Sequence, residues 1–441
     1  MVRKRLVWIL LASSVGLMAV AVVASSIWFN SYLNSREFSL LLARLTGRAV
    51  NAEAQYAPFR WNGSSVFTES LVLEGSEGSA IRRAEVRQIR ADVNWRAAWG
   101  GAWRIDELSV VQVEGEFGFP DGASDQDNFR PVAPSGLASL LPRRFELGHA
   151  EIKTANLTFG TASVKRLALD IRPEDAGWLI QGKGGQLILP FVPPLDIKSI
   201  RAREKRGQFF LTESLFRLGD VGKVNASGEF GEAGSLQVEW SGLKSGTFLP
   251  AMWADRLEGN LCGSANIRAT SGSGRVEMKD GLIKGVPLLD LIGRFTEAPT
   301  FRRMPIQEMH ADFIYLDGKV SISKCVVESK GLLRVEGAAQ VGAGGELEGA
   351  FQVGVSPQAL QWLPGSKDKV FTESRSGFLW TSMKVGGTIQ SPTEDLSFRI
   401  AAAMGQAVIE SLPSTIPETP DPGKAIDVFK GLINTINPLP R

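Results

Sequence analysis

Cysteine, histidine and net charge are all scarce in this chain, and each scarcity removes a class of function. Two cysteines, Cys262 and Cys325, in 441 residues are too few for a disulfide framework. Neither has the neighbouring cysteines or histidines that a zinc site draws on. They read as two small buried hydrophobes, with one disulfide between them as the other reading in an oxidising compartment. The two histidines, His149 and His310, stand in strand-like runs outside any metal-ligand spacing such as H-E-x-x-H. Lys plus Arg number 49 against 47 Asp plus Glu, a net of +2. No basic cluster follows the extreme N-terminus, so nucleic acid is not expected as a partner.

Catalytic motifs are missing as well. Gly182-Lys183-Gly184-Gly185 and Gly342-Ala343-Gly344-Gly345 lack the Lys-Ser/Thr ending of a phosphate loop and read as hairpin turns. There is no G-x-S-x-G nucleophile elbow. Carboxylates are plentiful, and a glycan hydrolase needs only two, but these sit mostly on the polar side of alternating strands. The expectation is a protein that is not an enzyme, with no cofactor and no metal.

What is present begins with Arg3, Lys4 and Arg5, followed by an uncharged run from Leu6 to Phe29. At about 1.5 Å per residue the run measures roughly 36 Å, enough to cross a hydrocarbon core of about 30 Å. Trp8, Leu17 and Val22 belong to this anchor, and Trp28 and Phe29 suit its far interface. The basic cluster keeps the N-terminus cytoplasmic. A cleavable signal peptide, with Val22 and Ala24 before the cut, is the competing reading, but the run exceeds the roughly 7–15 residues of a normal apolar region.

From Ser31 to Leu45 the pattern is helical, with Phe38, Leu41, Leu42 and Leu45 on one face and Gly47 as the stop. Beyond Val50 the period becomes two. Ile89, Ala91, Val93 and Trp95 alternate with polar residues, as do Val111, Val113, Phe117 and Phe119, then Leu167, Leu169 and Ile171. Leu333, Val335, Ala339 and Val341 repeat the pattern, and so do Leu396, Phe398 and Ile400. The 47 glycines, with turns such as Asp280-Gly281 and Asp317-Gly318, predict antiparallel meanders. At roughly 15–18 residues per strand and turn, about 20–25 strands are expected. Short helices are predicted over Pro287–Phe295 and Gln358–Leu363, and an amphipathic one over 424–436.

Three stretches together resemble the AsmA-like family of bacterial envelope proteins, which includes the TamB-like and YhdP-like proteins. One is the anchor followed by a helix ending Leu45-Thr46-Gly47-Arg48-Ala49-Val50. The second is Asp280-Gly281-Leu282-Ile283-Lys284-Gly285-Val286-Pro287-Leu288-Leu289-Asp290-Leu291. It continues, after Phe301, through Ala311-Asp312-Phe313, Asp317-Gly318-Lys319-Val320, Ser329 and Leu333-Arg334-Val335-Glu336-Gly337. The third is Val385-Gly386-Gly387-Thr388-Ile389-Gln390-Ser391-Pro392, similar to the family's late G-T-x-x-x-P strand. The match is most specific over about 280–400 and rests on the order of these pieces.

The resemblance implies a mainly β fold: a transmembrane helix, then a long curled antiparallel sheet with an apolar groove and a few short helices. It implies a place in the inner membrane with the bulk in the periplasm, and the handling of phospholipid or another acyl lipid. No catalytic residues are carried over. Groove candidates are Val93, Trp95, Val111, Val113, Phe117, Leu167, Leu169, Leu333, Val335, Phe351, Val353 and Phe398. Alternation alone fits a closed, side-chain-filled sandwich as well as an open groove. The other function is an assembly factor that holds an outer-membrane protein client by its strand edges or through 424–436. The expected organisation is 1–30 anchor, 31–120 N-terminal helix and strands, 121–143 linker, 144–275 middle β region, 276–411 C-terminal AsmA-like module, and 412–441 Pro-rich linker with terminal helix.

Overall fold

The computed structural model describes residues 31–76, 78–94, 102–118, 144–174, 177–190, 192–205, 208–230, 234–249, 254–268, 270–285, 303–361 and 365–411. The expected anchor with Trp8, Leu17, Val22, Trp28 and Phe29, together with Trp95, lies outside the described residues. So do the 121–143 linker and the helices expected over Pro287–Phe295 and 424–436. Among the described residues no helix is long and apolar enough to cross a membrane. The protein is mainly β, with 24 strands among the described residues. It divides into two compact units, Met1–Arg217 and Leu218–Arg441.

Unit 1 opens with helix α1 (Arg36–Val50). Ser35 caps it by accepting a hydrogen bond from the Phe38 N–H, and Asn51, in the left-handed region, donates its own N–H to the Gly47 carbonyl. Gly47, the expected stop, lies inside this helix. A side chain there would meet the Ala52 carbonyl oxygen at 2.4 Å, so the glycine serves close approach of helix and strand.

The strands of unit 1 are β1 (Ala52–Tyr56), β2 (Phe59–Asn62), β3 (Ser65–Gly75), β4 (Ile81–Asn94), β5 (Ala102–Phe117), β6 (Arg144–Leu147), β7 (Ala150–Phe159), β8 (Ala162–Glu174), β9 (Gly177–Lys183), β10 (Gln186–Leu189), β11 (Val192–Lys205) and β12 (Gln208–Leu218). Short β1 and β2 lie end to end along β3. From β3 the ladder passes through β4 and β5 to β7 and β8. It then continues through β9 and β10 to β11 and β12.

Two expectations are corrected here. The sheet is not wholly antiparallel, because β5 pairs in parallel with β6 and β7. A parallel neighbour needs a long return connection, and residues 118–143 supply that length. Nor is Gly184-Gly185 a hairpin turn. β9 and β10 occupy one position between β8 and β11, and the glycines, with φ of 76° and 77°, form a jog between them. At Gly185 a Cβ would fall 2.2 Å from the Lys165 carbonyl oxygen.

Unit 2 contains β13 (Gly222–Phe230), β14 (Leu236–Lys244), β15 (Leu257–Ile267), β16 (Ser271–Lys284), β17 (Arg303–Ile306), β18 (Glu308–Leu316), β19 (Lys319–Ser329), β20 (Leu333–Val341), β21 (Leu347–Val355), β22 (Glu373–Arg375), β23 (Phe378–Gly387) and β24 (Pro392–Glu394). Its helices are α2 (Pro357–Leu360), α3 (Ser366–Lys369) and α4 (Leu396–Ser411). Each strand pairs antiparallel with its neighbours, and β17 and β18 both pair with β16. Asp317-Gly318 turns β18 into β19 as expected, both with positive φ. The Gly342–Gly345 turn joins β20 to β21. Asp280-Gly281 does not turn the chain. It is a bulge inside β16, at the point where that strand changes partner from β18 to β17.

The run at Leu396, Phe398 and Ile400, expected as a strand, is helix α4. Leu396, Ile400 and Ala403 are buried at helical spacing, while Phe398 is 69% exposed. Over five residues an apolar alternation and a helical face look alike; Ala403, one turn further on, is what distinguishes them.

Candidate functional site

The registers of unit 1 align apolar side chains in rows that cross nearly every strand. One row runs Trp61, Val66, Ala91, Leu108, Ala150, Ile171, Ile180, Ala202, Leu211. The next is Phe59, Thr68, Ile89, Val110, Ile152, Leu169, Gly182, Ile200, Ser214. A third joins Tyr56, Leu71, Val86, Val113, Ala155 and Leu167. A fourth joins Ala54, Leu73, Ala84, Gly115, Leu157, Val164, Leu187 and Leu195. Within one face of a sheet such cross-strand neighbours lie about 5 Å apart, so the rows make one largely apolar surface, interrupted at Thr68, Gly182 and Ser214.

Local changes of phase keep the rows on the same face. Gln88 adopts φ 53° in β4 and Arg166 adopts φ 57° in β8. Arg166 adds a residue to β8 relative to β7, whereas Gln88 stands opposite Val111 in a register that runs through unshifted, so β4 and β5 change phase together at this point. Val111, expected on the apolar face, is turned out by this change and is exposed, whereas Val110 is buried in its place. Val113, Leu167 and Leu169 lie in the rows, Leu167 buried and the other two half-buried. Phe117 stacks on Phe159 at the strand ends, with ring centroids 5.1 Å apart.

Helix α1 covers the beginning of this face. Phe38, fully buried, packs with Phe59, Val93 and Trp103, and Tyr32, Leu42 and Trp61 join the cluster. Val93, a groove candidate, is therefore core under α1. No helix is described over β7–β12, and there Ile152, Leu169, Ile171, Ile180 and Ile200 remain only half-buried.

In unit 2 a comparable row, Ala226, Val238, Ala265, Gly274, Phe313, Ile322, Ala339, Gly349, Val385, crosses the sheet. Further along the strands, α2, α3 and α4 close over the apolar side. Leu360, Phe371, Leu396 and Ile400 form one buried cluster with Met304, Val353 and Val355, and Leu333, Val335 and Met383 pack against it. Leu333, Val335 and Val353, expected to face a groove, are here plugged by the unit's own side chains. The Phe351 ring lies within 2.5 Å of where a Cβ would stand at Gly337, and occupies that space itself.

No family model, no curated protein and no solved structure matches this chain.

The opposite faces are wet. The row Glu151, Asp170, Gln181, Arg201, Glu213 borders a concavity of about 430 Å³ in unit 1, which Ile152, Leu169 and Ile200 also line. Asn225, Glu239, Ser264 and Arg275 border one of about 400 Å³ in unit 2. His149 Nε2 lies 2.8 Å from Asp170 Oδ2, and Arg172 holds the same carboxylate at 2.8 Å. Burial raises the Asp170 pKa, but the bonds from His149 and Arg172 outweigh it and hold the group below its usual value. In unit 2, Arg334 bonds Glu328 and Glu336, Arg375 bonds Glu336 at 2.7 Å, and Lys324 bonds Asp312 at 3.0 Å. Arg172–Asp170 and Arg334–Glu336 lie two residues apart on one strand, and the others bridge different strands, all on a solvated face.

Among the described residues no cluster of three metal-ligating side chains exists. Cys262 on β15 and Cys325 on β19 are both free, with β16 and β18 between them. Burial pushes the Cys325 thiol up, which leaves it a poor nucleophile.

Proposed function

We propose that this protein is anchored in the inner membrane, faces the periplasm, and shelters the acyl chains of phospholipid on the apolar strand face of unit 1. The observation that carries the reading is the set of apolar rows crossing β7–β12 without a described helix above them. Across β7, β8, β9, β11 and β12, at about 4.8 Å spacing, a row runs roughly 19 Å. One acyl chain reaches about 15 Å, half the thickness of a hydrocarbon core of about 30 Å. Each CH₂ kept from water is worth about 0.8 kcal/mol, so a surface of this length favours an acyl chain strongly while the headgroup stays solvated at its margin. The chemistry asked of the protein is burial and release, with no bond made or broken. The likeness to AsmA-like proteins at Asp280–Leu291 and Val385–Pro392 supports the same reading.

The alternative, a factor that adds a client strand to a sheet edge, is opposed by the edges themselves. β1 and β2 are short and separated by Ala57-Pro58, while β22 and β24 are three residues each, with Pro392 in the latter. Short, interrupted, proline-bearing edges resist strand addition.

A photoreactive residue placed at Ile171 or at Asp170 in the full-length protein tests the proposal in membranes. Cross-linking of phospholipid at Ile171 and not at Asp170 is the expected outcome. Equal capture at both, or none at Ile171, overturns it.

A further inference from the structure

The outer side of α1 is not explained by its packing. The helix turns Phe38, Ala43 and Gly47 toward the strands and leaves Arg36, Arg44 and Arg48 exposed, with Leu40 exposed between them. At 3.6 residues per turn these four positions, spaced by four, fall within about 120° of arc and span about 18 Å. Glu37 is the one acidic residue in the first turn. None of the three arginines takes part in an ion pair among the described residues. Six arginines elsewhere, Arg87, Arg104, Arg172, Arg203, Arg275 and Arg334, each hold a carboxylate.

The uncharged run Leu6–Phe29 ends just before this helix. Between Phe29 and Arg36 the chain reaches at most about 25 Å, so a membrane holding that run lies close to α1.

We propose that the Arg36–Arg44–Arg48 face of α1 docks on acidic phospholipid headgroups of the membrane that holds the anchor. This rests on the anchor part of the functional reading and not on the acyl-chain surface. Because the apolar side of α1 is consumed by Phe59, Val93 and Trp103, the helix does not sink into the bilayer; it lies on it through charge, with Leu40 at the headgroup level. The docking brings the end of the strand rows nearest α1, at Phe59 and Trp61, toward the lipid surface.

The test uses the full chain with a fluorophore on L40C, in a Cys262→Ser, Cys325→Ser background. It is reconstituted into vesicles that carry a nitroxide on a headgroup lipid. Quenching is expected to be strong with phosphatidylglycerol present, weak in phosphatidylcholine alone, and reduced by salt. The triple variant R36Q/R44Q/R48Q should weaken docking by about five-fold per charge, on the order of 100-fold together, from about 1 kcal/mol per basic residue near an anionic surface. Circular dichroism should show its helix and strands unchanged, since Arg and Gln have similar helix propensity. Quenching that is equal in both lipids, or untouched in the triple variant, overturns the proposal and leaves the anchor standing. Failure of the chain to enter vesicles overturns the anchor and the docking together. Loss of acyl-chain binding at Ile171 leaves this experiment unaffected.

Discussion

In unit 2, Val335 and Val353 meet Leu360, Phe371 and Ile400 in one closed cluster, whereas in unit 1 Leu169 and Ile200 sit in rows with no described helix above them. Both pairs belong to strands that alternate apolar and polar residues, and both face the apolar side of a sheet. The difference lies in the segments that come after those strands. Beyond β21 the chain supplies α2, α3 and later α4, which fill the apolar side of unit 2. Beyond β7 unit 1 gains only more strands among its described residues. The same alternation thus ends under helices in one unit and, among the described residues, with no helix above it in the other.

Substitutions that remove apolar volume separate the two. Phe371→Ala should cost unit 2 about 3–5 kcal/mol, because the ring is fully buried and its removal leaves a cavity. Chemical denaturation followed by Trp fluorescence would show it, with phospholipid content unchanged. A matched pair sharpens the contrast. Leu360→Ala, at a buried position, should cost about 2–5 kcal/mol, while Leu169→Ala, at a half-buried one, should cost about 1 kcal/mol. Equal losses for the two leucines would mean that the unit 1 face is itself a filled core, and the comparison would break.

A smaller effect lies on the wet face. The hydrogen bond from Arg334 holds the Glu336 carboxyl below its usual value; burial works against this, and Arg375 adds to it. A folded-state pKa lowered in this way stabilises the protein above the unfolded value of about 4.3. That contribution is lost as pH falls through the folded value. Glu336→Gln should therefore flatten the loss of unit 2 stability below about pH 4.3 and cost at most about 1 kcal/mol at neutral pH, since the pair is partly solvated. A variant as acid-sensitive as the parent would remove Glu336 from the explanation.

Much of the fold is legible in the residues. Period-two runs locate β4, β5, β8 and β20, and the Asp317-Gly318 turn is readable from composition. The phase of those runs is not. The phase change that β4 and β5 make together at Gln88 and Val111 carries no compositional mark, yet it puts Val110 and not Val111 on the apolar face. The jog at Gly184-Gly185 resembles a hairpin because glycine serves both, and only the pairing of β8 with β9 and β10 tells them apart. The plugging of Leu333 and Val335 is hidden because α2 and α3 are too short to show a helical period. Ile200 and Leu211 escape a reading by period because an extra residue after Ile197 in β11 and another between Leu211 and Glu213 in β12 break the alternation into short pieces.

The most direct test of an acyl-binding face is the phospholipid carried by the purified full-length protein, counted by mass spectrometry. The parent should carry lipid, and Leu169→Asp with Ile200→Asp should lose it while both units stay folded. A lipid-free parent, or a charged variant that holds as much lipid as the parent, would contradict the account.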